Sequence, residues 1–254
     1  MLNIGFIGLG TMGFPIAGHI SESYKTSVFN RTLKKSQKWT SQFKGEICES
    51  IQNLTHKSDV ILLCLSEDKD IEEIVLGDEG VLKHLKQGTI VIDHSTTSVD
   101  TATAISNHLS KKDSFYLDAP VSGGEAGAQN GTLSVMIGGD KGAYKEISPL
   151  LSCYSSFHKY MGPSGNGQLT KMINQICIAG LLQALAEAAS FSKKSGIPAK
   201  EVLDVISRGA AQSWQMKNRW DSMIDDQYNF GFAVDLMVKD CLLYTSPSPR
   251  DPHL

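Results

Sequence analysis

Residues 2–13 of the chain read LNIGFIGLGTMG, and this stretch decides the fold of the first half of the molecule. The apolar run at residues 2–7 predicts a strand, and residues 11 to about 23 have a helical pattern. A GxGxxG turn lies between them and predicts a site for the pyrophosphate of a dinucleotide. The alternative is a tight turn that binds no ligand. The candidate cofactor-binding residues of the turn are Gly8, Gly10, Thr11, Met12 and Gly13.

The rest of the first half continues the alternation of strands and helices. Further strand-like runs lie at residues 26–29, 59–65, 89–93, 114–118 and 133–137. Helical patterns separate several of them, at residues 33–43, 69–76 and 99–109. The runs at 59–65 and 89–93 are continuously apolar, as in strands of a parallel sheet that are buried on both faces. The sequence therefore predicts an α/β fold with a doubly wound sheet of the Rossmann type.

The second half has a different character. Residues 168–195 predict one long helix with only Gly180 inside it, residues 199–207 predict another, and the helical pattern continues to about residue 243. We expect a dinucleotide-binding domain over residues 1–162 and an all-helical domain over residues 163–243, joined by the long helix. Residues 244–254 read YTSPSPRDPHL, whose prolines cannot continue a helix, and we expect a non-native tail there that follows a truncated helical domain.

Composition excludes several classes of protein. The 254 residues are 41% hydrophobic and 20% charged with a formal net charge of −3, so a disordered chain and a nucleic-acid binder are disfavoured. The mean hydropathy of −0.14 and the lack of an uninterrupted apolar run argue against a membrane span. Five scattered cysteines and no secretory leader indicate a cytoplasmic protein with reduced thiols. Histidine spacing indicates no metal site.

The end of the second predicted strand bears on the choice of cofactor. Residues 28–32 read VFNRT, without the carboxylate that would accept a hydrogen bond from the ribose 2′-hydroxyl of NAD. Arg31 can instead pair with a 2′-phosphate, helped by Asn30 and Thr32. The sequence therefore favours NADP, with NAD possible. The alternative is that these three residues only cap the next helix.

Four motifs in order resemble those of the β-hydroxyacid dehydrogenases, the family typified by 3-hydroxyisobutyrate dehydrogenase. They read GFIGLGTMGFPIA at residues 5–17, DAPVSGG at 118–124, GPSGNGQLTKMIN at 162–174 and FAVDLMVKD at 232–240. The resemblance covers residues 1 to about 243. Residues 30–32 are non-acidic, and in this they resemble the branch of the family that uses NADPH and is similar to glyoxylate and succinic semialdehyde reductases.

The resemblance implies roles for particular residues. Lys171 would be the general acid/base, and Asn174, one helical turn on, would orient it or bind the reacting oxygen. Ser122, Gly123 and Gly124 would hold the substrate carboxylate, and Thr96 and Lys239 would contact the cofactor. Leu65 and Ser66 join the candidate cofactor residues because parallel sheets bind ligands at the carboxyl ends of their strands.

The function implied is hydride transfer between a nicotinamide cofactor and a small β-hydroxyacid or its semialdehyde. The sequence does not choose among 3-hydroxyisobutyrate, tartronate semialdehyde, succinic semialdehyde and glyoxylate. The alternatives are a catalytically silent cofactor-binding or oligomerisation module, and a relative that acts on imines or sugar phosphates. The expected partners are a small carboxylate substrate and, in the full-length protein, further copies of the chain in a dimer or tetramer, with neither nucleic acid nor membrane.

Overall fold

The computed structural model describes residues 2–228 and 233–245. The chain divides into two compact units, residues 1–172 and 173–254. The division falls inside the long helix, whereas the domain boundary expected from the sequence is at residue 162, just before it. Each unit is described in turn.

The first unit contains a nine-stranded sheet. Its strands are β1 Asn3–Ile7, β2 Lys25–Phe29, β3 Glu46–Ile47, β4 Val60–Leu63, β5 Ile90–Asp93, β6 Phe115–Asp118, β7 Val121–Ser122, β8 Leu133–Gly139 and β9 Ser155–Gly162. The order is β3-β2-β1-β4-β5-β6-β8-β7, and β9 pairs with β8. Strands β1 to β6 are parallel to one another, and β8 is antiparallel to β6 and β7. The strand order reverses between β1 and β4, where such sheets bind ligands.

Helices cover both faces of this sheet. They are α1 Gly13–Ser21, α2 Leu33–Thr40, α3 Ile51–Lys57, α4 Asp68–Leu76, α5 Val81–His84, α6 Val99–Ser110, α7 Gly124–Gln129 and α8 Lys141–Leu151. Every residue of β4 and β5 is buried. The apolar side chains form two separate clusters, one containing Phe6 and Leu62 and the other Ile7 and Leu63. Neighbouring residues of a strand point to opposite faces, so each cluster is the core beneath one layer of helices.

The sequence prediction left several elements unassigned. Strands β3, β7 and β9 and helices α3, α5, α7 and α8 lie in stretches for which no element was predicted. Helices α3 and α8 begin with ordinary side-chain caps, Ser50 accepting from the Asn53 amide and Asp140 from the Ala143 amide. Pro149 lies inside α8, where its fixed backbone weakens any helical signal in the sequence.

The second unit is helical. Helix α9, Asn166–Ser195, begins in the first unit and continues into the second, where α10 Ala199–Ile206, α11 Trp214–Ile224 and α12 Val234–Thr245 follow. Its small core contains Leu185, Met216 and Trp220. Residues 207–213 and 225–228 are not helical. The predicted helical pattern to about residue 243 is therefore interrupted at these two places. Helix α12 includes residues 244 and 245, which the sequence prediction assigned to the tail. Residues 246–254 and Phe232 lie outside the described residues.

Helix α9 is the one helix of the described part that could cross a membrane by length and composition alone. Its most apolar window has a mean hydropathy of 1.3, although Asn174 and Gln175 interrupt the apolar run. A core helix of a folded domain passes the same test. The absence of a membrane partner therefore stays a prediction. The predicted fold class, a Rossmann-type sheet followed by a helical domain with a long helix, is confirmed.

Candidate cofactor and active site

The glycines of the turn between β1 and α1 differ in what their surroundings require. Gly8 has a φ of +100°, and a Cβ there would collide with the Cys64 carbonyl. A Cβ on Gly13 would collide with the Gly8 carbonyl, at the first residue of α1. Both glycines are therefore required by the fold itself, since neither position has room for a side chain.

Gly10 is different because its missing side chain leaves open space. A Cβ built there meets nothing within 4 Å, and its φ is not in the left-handed region. Packing within the described residues does not account for a glycine at this position. A glycine here leaves room for a ligand to approach the backbone closely, in front of a helix start whose N-cap residue, Met12, makes no side-chain capping bond. Thr11, which lies between Gly10 and Met12 in the sequence, is exposed.

Asn30 holds the glycine turn in place. Its Oδ1 accepts a 2.9 Å hydrogen bond from the Leu9 amide, and its Nδ2 donates to the Thr32 carbonyl. This positioning role is one that the sequence analysis missed. Thr32 is the N-cap residue of α2, but its hydroxyl makes no capping hydrogen bond. The alternative that residues 30–32 only cap the helix therefore explains where Thr32 lies and does not explain what its hydroxyl does.

Arg31 projects from the end of β2 with 88% of its side chain exposed. One guanidinium nitrogen, Nη1, lies 3.8 Å from Oδ1 of Asp70, a residue of α4. Such a long, exposed ion pair is weak. Arg31 is therefore available to an anionic group at this edge, in competition with the Asp70 carboxylate.

The loops after β4 and β5 meet beside the glycine turn. The Leu65 amide donates a 2.8 Å hydrogen bond to Ser95 Oγ, which joins the two loops. Thr96 is partly buried in the second loop, and Ser66 is exposed after the first. These three predicted cofactor residues thus lie at the carboxyl ends of neighbouring parallel strands, as expected.

Lys171 lies in the second turn of α9 and is only 8% exposed. Its Nζ donates a 2.8 Å hydrogen bond to the carbonyl oxygen of Val121 in β7. An amine held on a main-chain carbonyl keeps a fixed direction. The structure therefore brings Lys171 to the strand that carries the predicted substrate-binding residues.

Ser122, Gly123 and Gly124 follow directly. They are the end of β7 and the start of α7 rather than a plain loop. Gly123 and Gly124 have φ values of +131° and +62°, in the range that favours glycine. A Cβ on Gly124 would meet nothing within 4 Å, so this backbone too faces open space.

Two buried residues that the sequence analysis did not single out hold the start of α9. Oδ1 of Asp118 accepts a 2.8 Å bond from the Gly165 amide, and Oδ2 accepts a 3.0 Å bond from the Gln168 amide. The Gln168 side chain bonds in turn to Ser95 and Thr97, on either side of Thr96. Burial raises the pKa of Asp118, and the amide hydrogen bonds oppose this shift. No local sequence signal marks these contacts.

Behind the strand ends lie two buried polar pairs. Tyr116 donates a 2.7 Å hydrogen bond to Asp93, whose pKa is raised by burial to about 6. His94 donates through Nδ1 to the Ala119 carbonyl, so its Nε2 accepts from the Tyr154 hydroxyl at 2.8 Å. Burial lowers the pKa of His94 to about 4 and keeps the ring neutral at pH 7.

In the second unit, the predicted residues Asn174 and Lys239 belong to one polar chain. Asn174 Nδ2 donates to Gln175 Oε1, and Gln175 Nε2 donates a 2.7 Å hydrogen bond to Oδ2 of Asp240. Lys239 Nζ lies 3.3 Å from Oδ1 of the same carboxylate. Gln175 and Asp240, both buried, connect α9 to α12 and were not proposed as site residues.

Two family models cover nearly all of the chain. Residues 3–162 match the NAD binding domain of 6-phosphogluconate dehydrogenase. Residues 165–247 match the model described as NAD-binding of NADP-dependent 3-hydroxyisobutyrate dehydrogenase. The chain belongs to the β-hydroxyacid dehydrogenase family. The resemblance of the four sequence motifs is thereby confirmed.

Individual proteins that are similar to this chain agree with this assignment. An uncharacterized oxidoreductase of Shewanella frigidimarina is 45% identical over 241 residues, which are 94% of this chain and 83% of that protein. The 2-hydroxy-3-oxopropionate reductase of Escherichia coli is 31% identical over 94% of this chain and 82% of its own length. The solved structure of Psf3 in complex with NADP+ and 2-OPP superposes with a TM-score of 0.90 at 27% identity, covering 99% of this chain and 89% of that one.

This member of the β-hydroxyacid dehydrogenase family is thus an NAD(P)-binding oxidoreductase. The open backbone at Gly10 fits the pyrophosphate of such a cofactor, because a Cβ there would fill the space in front of the turn. Gly8, Gly10 and Gly13 would hold the pyrophosphate, and the loops at Leu65 and Thr96 would face the rest of the molecule. Among the described residues no group of three or more His, Cys, Asp or Glu side chains could hold a metal ion, and the absence of a metal stays a prediction.

Proposed function

We propose that this enzyme transfers a hydride between NADP and a small β-hydroxyacid or its semialdehyde, with Lys171 as the general acid/base. The placement of Lys171 carries the proposal. Its side chain is nearly buried and is hydrogen-bonded to the Val121 carbonyl. Val121 lies three residues before Gly124, where the backbone faces open space. A lysine on the surface of a helix would be solvated and would have no such partner.

The bound nicotinamide supplies or accepts the hydride. In the reductive direction, the carbonyl oxygen of the semialdehyde gains negative charge as its carbon receives the hydride. The Lys171 ammonium donates a proton to that oxygen and completes the hydroxyl, and solvent reprotonates the amine. In the oxidative direction the neutral amine takes the hydroxyl proton as the hydride leaves carbon.

The substrate carboxylate is proposed to bind at Ser122, Gly123 and Gly124. A serine hydroxyl and glycine backbone amides are donors suited to an anion, and the open space at Gly124 admits one. Asn174 and Lys239 are proposed to contact the reacting oxygen and the cofactor, on the strength of the family resemblance.

The preference for NADP is proposed from the end of β2. Arg31 offers an exposed guanidinium, and no acidic residue occupies positions 30–32 to repel a 2′-phosphate. The Psf3 structure, similar over almost the whole chain, contains NADP+.

A second copy of the chain is the proposed partner of the second unit. Large apolar side chains of α9 and α10 are exposed there, including Ile173, Phe191 and Val205, of which Phe191 is 70% exposed. Apolar patches of this kind mark association surfaces in soluble proteins. Light scattering of the purified protein tests this, and Phe191→Glu is expected to shift a dimer or tetramer towards monomer.

The enzymatic proposal is tested by a substrate panel assayed with NADPH and NADH. The panel contains 3-hydroxyisobutyrate in the oxidative direction, and tartronate semialdehyde, succinic semialdehyde and glyoxylate in the reductive direction. We expect turnover of at least one compound, faster with the phosphorylated cofactor. Lys171→Met is expected to abolish turnover while reduced cofactor still binds, as followed by its fluorescence.

Lys159→Met is the matched control, since Lys159 is an exposed lysine on β9, which is separated from Val121 of β7 by strand β8. Retained turnover in Lys171→Met would contradict the acid/base role. A wild-type protein that binds cofactor and turns over no compound of the panel would contradict the proposed substrate class.

A further inference from the structure

The side chain of Gln168 joins the lysine helix to the loop after β5. It is fully buried, and its Nε2 donates a 2.8 Å hydrogen bond to the Ser95 carbonyl. Its Oε1 accepts a 3.2 Å hydrogen bond from the Thr97 amide. These two partners flank Thr96, a candidate cofactor contact. One carbonyl and one amide require one donor and one acceptor, so the side chain has a single orientation that satisfies both.

The backbone of Gln168 is fixed as well. Its amide donates to Oδ2 of Asp118, and the Gly165 amide donates to Oδ1 of the same carboxylate. A Cβ on Gly138 or Gly167 would lie within 2.8 Å of the Asp118 carboxylate oxygens, so only glycine allows this close approach. The first turn of α9 therefore cannot shift along its axis without breaking these bonds.

Lys171 is three residues after Gln168 on the same helix, and so on the same helix face. Its Nζ is held by the Val121 carbonyl, three residues beyond Asp118. The position of the amine relative to the loop at Thr96 is thus determined by a short series of buried hydrogen bonds. All of these residues belong to the first unit.

We propose that Gln168 is a positioning residue, which holds Lys171 at a fixed distance from the cofactor loop that contains Thr96. The inference rests on the proposed function of Lys171. Hydride transfer and proton transfer act on the two ends of one carbonyl group, so the cofactor loop and the amine must keep a common geometry. A misplacement of about 1 Å in such an arrangement costs about 100-fold in rate.

Two variants separate positioning from mere stability. Gln168→Leu keeps the approximate size and loses both hydrogen bonds. Gln168→Glu can restore both bonds only when protonated, because its O–H then donates to the Ser95 carbonyl while the other oxygen accepts from the Thr97 amide. When ionised, it places a negative charge against the Ser95 carbonyl oxygen.

The measurements are kcat as a function of pH, cofactor affinity by fluorescence titration, hydrogen exchange of the Thr97 amide, and the thermal midpoint. For Gln168→Leu we expect kcat to fall about 10- to 100-fold at every pH, with cofactor affinity within about threefold of wild type because the glycine turn is untouched. Exchange of the Thr97 amide is expected to be faster. For Gln168→Glu we expect the same loss in kcat at alkaline pH and recovery as the pH falls.

The wild-type profile is the reference for other groups that titrate nearby, namely Asp118 on β6, Asp93 on β5 through Ser95, and Lys171 itself. The ratio of the variant kcat to the wild-type kcat therefore isolates position 168. Recovery of that ratio in acid, measured well below the thermal midpoint of each protein so that all of it is folded, is the result that a structural role would not produce.

Unchanged kcat in Gln168→Leu would overturn the proposal, as would a loss in Gln168→Glu that is equal at all pH values. If neither variant folds at any pH, the hydrogen bonds serve stability and the proposal is wrong. The wild-type assay comes first. An inactive wild-type chain contradicts the proposed function and this inference with it, whereas an active wild type with unaffected variants contradicts the positioning role alone.

Discussion

Asp93 and Asp118 are direct partners on the neighbouring parallel strands β5 and β6, and both carboxyl groups are completely buried. Their carboxylate oxygens accept hydrogen bonds from different groups. Asp118 accepts from backbone amides at the start of α9, while Asp93 accepts from the Ser95 amide and the Tyr116 hydroxyl. Burial is the larger influence in both, so both pKa values are raised. The end of the sheet therefore holds two carboxyl groups for which ionisation is costly.

Asp93→Asn is expected to change how stability depends on pH. Burial raises the pKa of Asp93 from 3.8 to about 6, so between these values the folded state binds more protons than the unfolded state. Asp93 therefore stabilises the fold fully below about pH 4, and this contribution, about 3 kcal/mol, is lost as the pH rises through 6. Native-state hydrogen exchange of the β5 and β6 amides at a series of pH values measures it. The difference between wild type and variant should decline from pH 4 to 6, and a constant difference would rule out the titration of Asp93.

His94→Asn is expected to show the opposite dependence. Burial lowers the pKa of His94 from 6.5 to about 4, so the unfolded state binds more protons between these values. The stability that the neutral ring contributes is fully present above about pH 6.5 and is lost, by about 3 kcal/mol, as the pH falls through 4. The same exchange measurements in the variant should lack this loss. A steeper loss in acid for the variant would contradict a neutral, buried His94.

Local and non-local features of the molecule differ in how far the sequence predicts them. The strand, glycine turn and helix at residues 3–21 are predictable because the signals are adjacent in sequence. Strand β3 has only two residues, and β9 is largely exposed, so neither carries an apolar run. The hydrogen bond from Gln168 to Ser95 joins residues 73 apart, and that from its amide to Asp118 joins residues 50 apart. Such contacts depend on which strands become neighbours, and nothing in the local pattern encodes that.

Arg31→Asp is expected to shift the cofactor preference from NADPH towards NADH. The variant removes the cation proposed to pair with the 2′-phosphate and supplies the carboxylate that would accept from a 2′-hydroxyl. The measurement is the ratio of kcat/KM for the two cofactors. Lys111→Asp, the same change of charge at the exposed C-cap of α6, is the control for long-range electrostatics. An unchanged ratio in Arg31→Asp would contradict the pairing.

Asp70→Asn tests the competition for the same guanidinium. Because the Asp70 carboxylate lies 3.8 Å from Arg31, its neutralisation should leave Arg31 to the cofactor phosphate alone. We expect affinity for NADPH to rise about two- to fivefold at low salt, the size of an exposed ion pair, with little change for NADH. The gain should disappear at high salt. An equal gain for both cofactors would mean that the phosphate is not involved.

Gly10→Ala and Gly13→Ala are expected to separate ligand binding from folding. A Cβ at Gly10 meets no protein atom within 4 Å, so the thermal midpoint should be unchanged. The methyl group should instead weaken NADPH binding about 5- to 100-fold, corresponding to about 1–3 kcal/mol of steric cost. At Gly13 the same methyl group meets the Gly8 carbonyl and should destabilise the fold by a similar amount. Fluorescence titration and thermal unfolding measure the two effects. If Gly10→Ala lowered the midpoint as much as Gly13→Ala and left NADPH affinity intact, Gly10 would serve the fold and the open space in front of it would not be the pyrophosphate site.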